Sequence, residues 1–554
     1  MSDGRNYETA QQRLVPAMQD VTTVGDVLGV AASEWGDAEY MTYAPSGESF
    51  SFEGVHRRTN RIANALTEIG VREGDRVGLY LTNSPEFVFS IFASAKAGAI
   101  ESPINWKYRE REMLHAIESA EISTIIAEPV SDMVDVLLAV ADDADPLERV
   151  VMTGERRFEE VRELSTVDSY RLSDLTDTAT DATPSIDRGY TDPVGILYTS
   201  GTTGLPKPTV LTNKSLLLAA KSMLGVPFDS DDVNYNPYPL FHVNNQCYSM
   251  LMSAIHGSPY VLSDGFSASQ FWEDVTENDV TSFNLIGGVP KILDSRFSAT
   301  DIPPNDLQFG LGPISTELWE HFEETFDLTV IQLYSQTESP TLFVNYPDPT
   351  QVTIGAFGKP MFPDLGHEAW VEDEDGNTCS PGKKGELVRT DPGSMQGYWK
   401  QPEKTEETLR NGATYSGDIV RRDEDGYFYY LDRKKFMVRR SGENISAQEV
   451  ENVIDEHPAI SESAIIPVPD DFRGEEVKAI VQRLDADVDE RDVVLQVARH
   501  LAPYKTPRYI EFVDEFPRTP TERIQRVQLA EKAAERDSHG WDREVHFPDW
   551  REQL

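Results

Sequence analysis

From residue 22 to about 130 the apolar positions keep changing period. In FEGVHRRTNRIANALTEIG (52–70) they recur at helical spacing and stop at Gly70, which predicts an amphipathic helix with a glycine end. DRVGLYL (75–81) is a short apolar run that reads as a buried strand, and PEFVFSIFASAKAGA (85–99) reads as the next helix. Strand and helix alternating in this way predict doubly wound sheets. Residues 165–191, rich in Asp, Thr and Ser, predict a surface connection, after which the alternation resumes to about residue 345. The texture then turns to hairpins. EAWVEDEDGNTCSPGKKGELVRT (368–390) and TYSGDIVRRDEDGYFYYLDR (414–433) pair strands around Asp-Gly turns. Both DEDG turns fail as calcium loops: Val371 and Gly382 hold the first and twelfth ligand positions of one, and Arg421 opens the other. Residues 445–527 read as a compact mixed α/β unit, with a domain boundary near 433–436.

Composition narrows the partners. At 554 residues, two or more domains are expected. There are 95 acidic residues against 50 Lys+Arg, a net charge of −45, and only 16 of those cations are lysine. Such a surface suits a cytosol at molar salt, where screening shortens the Debye length to about 3 Å, so a halophile's protein is expected. The same field repels nucleic acid and anionic membranes. The best apolar run, FVFSIFASAKAGAI (87–100), is short and interrupted by Lys96, so no membrane insertion is expected. The start, MSDGRNYETAQQR, has no signal-peptide apolar region, which points to the cytoplasm. Cys247 and Cys379 alone allow no disulfide framework and no cysteine-based metal site.

The chemistry begins in ILYTSGTTGLPKPTVLT (196–212). Thr199, Ser200, Gly201, Thr202, Thr203 and Gly204 form an unbroken hydroxyl and glycine run, and Lys207 follows. Glycines let backbone N–H groups converge on an anion, hydroxyls add donors and the lysine adds charge, so the loop predicts phosphate binding. Its glycine and lysine spacing differs from that of the ordinary P-loop. The buried flanks 194–198 and 210–211 argue against a mere linker. LYSQTES (333–339) places Thr337 and Glu338 after an apolar strand, where one carboxylate beside a phosphate loop suits Mg²⁺. Asp418, in YSGDIV, suits two ribose hydroxyls, and the small-residue run Gly310 to Pro313 lets a flat purine approach the backbone.

Taken in order, YTSGTTGLPKP, PLFHVNNQ, YSQTES, GELVRT with MQGYW, YSGDIV, GYFYYLDRKKFMVRRSGENISAQEVE and FPRTPTERIQR resemble the adenylate-forming enzymes. That superfamily comprises acyl-CoA synthetases, luciferases and peptide-synthetase adenylation domains. The resemblance runs from about 22 to 528. It implies an α/β fold with a large N-terminal domain of doubly wound sheets plus a β-rich subdomain, residues 1–434. A small mobile C-terminal α/β domain, 435–554, would turn on a hinge at Lys435. By the same resemblance the 199–207 loop would cradle ATP phosphates, Thr337 would touch the α-phosphate and Glu338 would bind Mg²⁺. Asp418 and Arg433 would hold ribose, with Gly310, Gly312, Pro313 and Tyr334 around adenine. His242 would border the carboxylate pocket, and Gly442, in SGENIS, would line the pantetheine passage of coenzyme A. The cluster RKKFMVRR (433–440), cationic at five of eight positions, suits the phosphates of coenzyme A.

There are departures. Pro208 stands where the family has glycine after its Pro-Lys pair, Ser335 where it has glycine, and Phe436 where it has aspartate. Arg523 replaces the lysine that bridges the substrate carboxylate and the α-phosphate. The expected reaction is ATP-dependent adenylation of a carboxylic acid, then transfer of the acyl group to coenzyme A with release of AMP. RRSGENIS and TPTERIQR are most similar to the carnitine/crotonobetaine-CoA ligase-like branch. A stand-alone enzyme loading a carrier protein and a non-catalytic nucleotide- or acyl-CoA-binding relative stay open, and a homodimer is compatible with the sequence.

Overall fold

The computed structural model describes residues 14–199, 205–226, 229–285, 289–314, 316–345, 353–373, 375–433, 437–484, 487–517, 524, 526–534 and 539–554. Ser200 to Gly204, Lys435, Phe436 and Arg523 lie outside the described residues, and Arg433 is described through its backbone alone.

The predicted helix at 52–70 is Phe52–Glu68, with Ser51 Oγ accepting from the Gly54 amide at 3.1 Å to cap its start. Its buried face includes Phe52, Val55, Ile62 and Leu66, and it packs on the helix Pro85–Lys96. Between them runs the strand Arg76–Tyr80, in an eight-stranded sheet. That sheet is parallel from Pro193–Thr199 through Asp168–Arg171. At its other end Lys207–Thr212 pairs antiparallel with Pro193–Thr199, and Gly397–Tyr398 forms the edge. A seven-stranded sheet is parallel from Thr329–Ile331 to Glu39–Tyr43 and ends in one antiparallel strand, Glu48–Ser51. One continuous apolar core joins both sheets and their helices.

The 165–191 connection is more ordered than its composition predicts. Asp168–Arg171 adds an edge strand to the eight-stranded sheet, and Leu172–Thr178 is helical. Beyond it, Asn60 and Asn64 donate to the backbone oxygens of Thr180, Asp181 and Ala182, which straps the segment to the helix Phe52–Glu68. Polar composition reports solvent on one side and is blind to such pairing.

Both Asp-Gly segments are hairpin turns, joining Glu368–Glu372 to Lys384–Thr390 and Ala413–Arg422 to Phe428–Arg433. The chain leaves that sheet at Arg433 and enters a six-stranded one at Met437–Arg440. The second sheet has its own core of Val450, Ile465, Val493 and Val497. The C-terminal tail completes it. Trp541–Asp542 pairs antiparallel with Tyr509–Phe512, and Phe547 and Trp550 are buried.

Candidate active site

One cleft of about 1650 Å³ is walled by both large sheets, the β-rich region and the small domain. Antiparallel register sets Thr199 directly opposite Lys207 at its floor. Thr337 and Glu338 also arrive there, but not at the end of a parallel strand as their apolar flank suggests. Leu333–Gln336 leaves the preceding strand for a three-stranded sheet, and Thr337-Glu338 forms the tight turn into Ser339–Val344. The turn fixes Glu338 in place. Its Oε1 accepts from Thr199 Oγ1 at 3.1 Å and from the Tyr398 hydroxyl at 2.8 Å. Lys207 Nζ donates to the same hydroxyl at 2.6 Å, lies 3.9 Å from that ring's centre and 4.0 Å from Glu338 Oε1. Burial, then the Glu338 charge, push the Tyr398 pKa far up, so it stays a neutral donor. Tyr398 falls within the quoted MQGYW, yet only the edge pairing of Gly397–Tyr398 with Lys207–Thr212 assigns it a place.

Asp418, 1% exposed, accepts from the Tyr334 hydroxyl at 2.7 Å and from Gln336 Nε2 at 2.9 Å. Its backbone partner across the sheet is Arg433. The Tyr334 ring stacks on Phe357 at 4.4 Å, which makes a flat wall. Beside it Gly312, at φ +138°, has no room for a side chain, since a Cβ would meet the Leu285 carbonyl oxygen at 2.0 Å. Pro313 lines the cleft, and Gly310 lies at the centre of its strand Phe309–Leu311. A flat ring can therefore reach the backbone here.

On the opposite wall His242 is not a core histidine: its side chain is 39% exposed. Its Nε2 lies 3.8 Å from Glu443 of the small domain, and Lys107 Nζ lies 3.4 Å from the other oxygen. Burial alone raises the Glu443 pKa, but His242 and Lys107 outweigh it and hold the carboxyl below its usual range. Gly442, at φ +83°, lets the hairpin turn that brings Glu443 to this point. Asn236 and Asn284, both fully buried, donate to Oδ1 of Asn244, which lines the cleft, at 3.0 and 3.1 Å. Glu443 and Asn244 stand in SGENIS and PLFHVNNQ, but their contacts, and Lys107 altogether, emerge only from the fold.

Lys505 and Arg526, the two cations that could stand in for Arg523, are each paired with acids. Lys505 is bonded to Glu112 and, at 2.8 Å, to Glu449; Arg526 meets Glu451 at 2.5 Å. No group of three or more His, Cys, Asp or Glu arranged to hold a metal ion occurs among the described residues. What the cleft does offer a cation is oxygen: the Glu338 carboxylate and the Thr199 hydroxyl. That donor set fits Mg²⁺, which binds through one or two carboxylates plus phosphate oxygens and water.

A family model described as AMP-binding enzyme matches residues 29–399, and one described as AMP-binding enzyme C-terminal domain matches 449–523. The chain is 30% identical over 494 residues to a crotonobetaine/carnitine–CoA ligase of Salmonella arizonae, covering 87% of this chain and 93% of that one. Among solved structures, o-succinylbenzoate CoA synthetase from Bacillus subtilis, bound with its product analogue OSB-NCoA, is similar at a TM-score of 0.79 and 24% identity. It covers 91% of this chain and 98% of its own. A Mycobacterium tuberculosis fatty acyl CoA synthetase is similar at 0.64 and 27% identity, covering 92% and 98%.

Proposed function

Because the chain belongs to the AMP-binding enzyme family, we propose that it is an AMP-forming acyl-CoA synthetase in which the residues above play the following parts. The observation that carries the assignment is the meeting of Glu338, Thr199, Lys207 and Tyr398 in one cleft with the Asp418–Tyr334 pair. The first set handles triphosphate, the second nucleoside. Asp418 accepts from ribose hydroxyls, the Tyr334 face and the bare Gly312 backbone receive adenine, and Lys207 offsets phosphate charge. Glu338 would hold Mg²⁺, which supplies charge neutralisation on the phosphates when bound. A carboxylate oxygen then attacks the α-phosphorus while the bond to the bridging oxygen breaks and pyrophosphate leaves. In the second step the thiol of coenzyme A attacks the acyl carbon and AMP departs.

The approach of Gly442 and Glu443 to His242 supports reading this domain arrangement as the one for transfer to coenzyme A. The small domain would begin at 435 and turn at Lys435, and Arg523 would serve the first step in another orientation. Asp264, exposed on the cleft wall with Tyr238 and Phe266, supports an acid that carries a fixed positive charge, such as crotonobetaine or carnitine. The charge of −45 supports a halophilic, cytoplasmic setting. No helix among the described residues is long and apolar enough to cross a membrane. Glu338→Ala tests the core of the assignment. Adenylate formation, read as pyrophosphate release over a panel of acids, should fall by about 10²-fold or more with the circular dichroism spectrum unchanged. An unaltered Mg²⁺ dependence would refute it.

A further inference from the structure

A second cavity, of about 240 Å³, opens where the small domain meets the large one. Pro206 and Glu449 face both this space and the main cleft, so the two lie back to back. The helix Glu110–Ala120 brings Arg111 and His115 to its wall, and the helix Pro402–Thr408 brings Lys404. Three basic side chains around so small a space run against a chain with nearly two acids per Lys or Arg. They also feel one another. Burial first, then Lys404 and Arg111, drive the His115 pKa below its usual value against the pull of the Pro206 contact and of Glu118.

The acid in the wall, Glu449, is shared: its short contact goes to Lys505, and the charge of Arg111 also acts on it. Arg111 also reaches Glu456 at 3.1 Å, in a pair with both partners well exposed, the kind that contributes little. His115 Nε2 faces the Pro206 carbonyl oxygen at 2.9 Å, and a carbonyl only accepts, so this nitrogen carries the hydrogen. Nδ1 has no hydrogen-bond partner among the described residues and can take up a proton when an anion arrives. Gln401 Oε1, in the same wall, is buried with no hydrogen-bond partner among the described residues; being an acceptor, it could meet only a protonated phosphate oxygen. The volume lies below the ~300–1,000 Å³ typical of drug-sized ligands, which suits an inorganic anion better than a nucleotide.

We propose that this cavity binds a small phosphate anion, inorganic pyrophosphate or orthophosphate, between Arg111, Lys404 and His115. Pyrophosphate would come from the main cleft across Pro206; that source rests on the proposed adenylation, whereas the binding itself does not. Asn452, Val453 and Leu501 of the small domain close the wall, so an occupant favours this domain arrangement over any that withdraws them.

Calorimetry decides it, at a salt concentration where the protein is stable. The main cleft is first filled with α,β-methylene-ATP, and inorganic pyrophosphate is then titrated in. One further site is expected. Arg111→Ala/Lys404→Ala should weaken it roughly tenfold to a hundredfold, the loss for hydrogen bonds to charged groups, and Arg111→Lys/Lys404→Arg should retain it. A tenfold preference for pyrophosphate over orthophosphate assigns the site to the product, and equal binding assigns it to ambient phosphate. No pyrophosphate binding beside the analogue, or binding untouched in the double alanine variant, overturns the proposal. Failure of the analogue itself to bind would instead strike the nucleotide assignment.

Discussion

Lys96 and Lys505 are each 3% exposed, and their surroundings are opposite. Lys96, at the end of the helix Pro85–Lys96, donates to Thr59 Oγ1 and Asn60 Oδ1 at 2.7 Å and to the His56 carbonyl oxygen at 3.1 Å, with His56 Nδ1 also 3.1 Å away. No carboxylate forms an ion pair with it among the described residues; Asp26 and Glu53 act only from a distance. Burial therefore wins and lowers its pKa to about 7, while burial and the neighbouring Lys96 lower that of His56 to about 4. Lys505 sits between Glu112 of the large domain and Glu449 of the small one, and Glu112 Oε2 also accepts from the Ala502 amide at 2.9 Å. Burial works to lower its pKa too, but two carboxylates overturn it and the pKa rises well above the usual value. Equal burial thus accompanies opposite pKa shifts, and the partners decide. The first lysine ties together two packed helices of the large domain. The second bridges the large and small domains.

The sharpest way to break the contrast is Lys505→Ala. It leaves Glu112 and Glu449 buried without their cation, a change that costs about 3–5 kcal/mol in comparable sites. Calorimetric unfolding should register that loss, and transfer to coenzyme A from supplied acyl-adenylate should slow more than adenylate formation. Equal loss in both half-reactions would show that the bridge does not belong to one domain arrangement.

Lys96→Met tests the other side through pH. The folded pKa, about 7, lies below the unfolded value, so between pH 7 and 10 the unfolded chain binds more protons and stability rises with pH. The variant should lose that rise, a matter of a few kcal/mol between the two ends. Chemical denaturation at pH 7 and pH 10 measures it, and an unchanged rise would mean the amine is not the titrating group.

Glu449→Gln gives a smaller effect of opposite sign. Burial, offset in part by Lys505, raises Glu449 to about 7, so its contribution to stability is full below the ordinary carboxylate range and is lost as pH rises through 7. Wild type minus variant should fall by on the order of 1–3 kcal/mol from pH 4.5 to 8. A flat difference would assign the shared proton to another member of the cluster.

Salt should separate neither lysine from the other. Screening acts on the exposed acids and hardly on buried contacts. Melting temperature should rise from 0.1 to 2 M KCl in wild type, Lys96→Met and Lys505→Met with the same slope. A flat wild-type profile would count against the halophilic reading.

How much of this could be read from the chain follows from which interactions are local. Period changes at 52–99 gave the helices and the buried strand because amphipathicity is written into consecutive residues. Thr199, Lys207, the Thr337-Glu338 pair and Asp418 could be picked out as candidates because each stands in a short local context, and the fold brings all of them to one cleft. Tyr398, Lys107 and Glu443 could not be, because each acquires its task only from a neighbour more than a hundred residues away. The same holds for the 165–191 strap, whose strand exists through its sheet partner and not through its own composition. Leu205, Pro206 and Gln401 lie outside helices and strands, and Arg111, His115 and Lys404 on two separate helices; sequence distance conceals that they surround one space. The chain by itself determined the family, the class of reaction and a set of candidate residues, since those are written in local patterns of donors and acceptors. Only the tertiary structure decided which way each buried lysine's pKa moves, which tyrosine joins Glu338 and Lys207, and where the basic residues converge, because desolvation and Coulomb energy depend on three-dimensional separation.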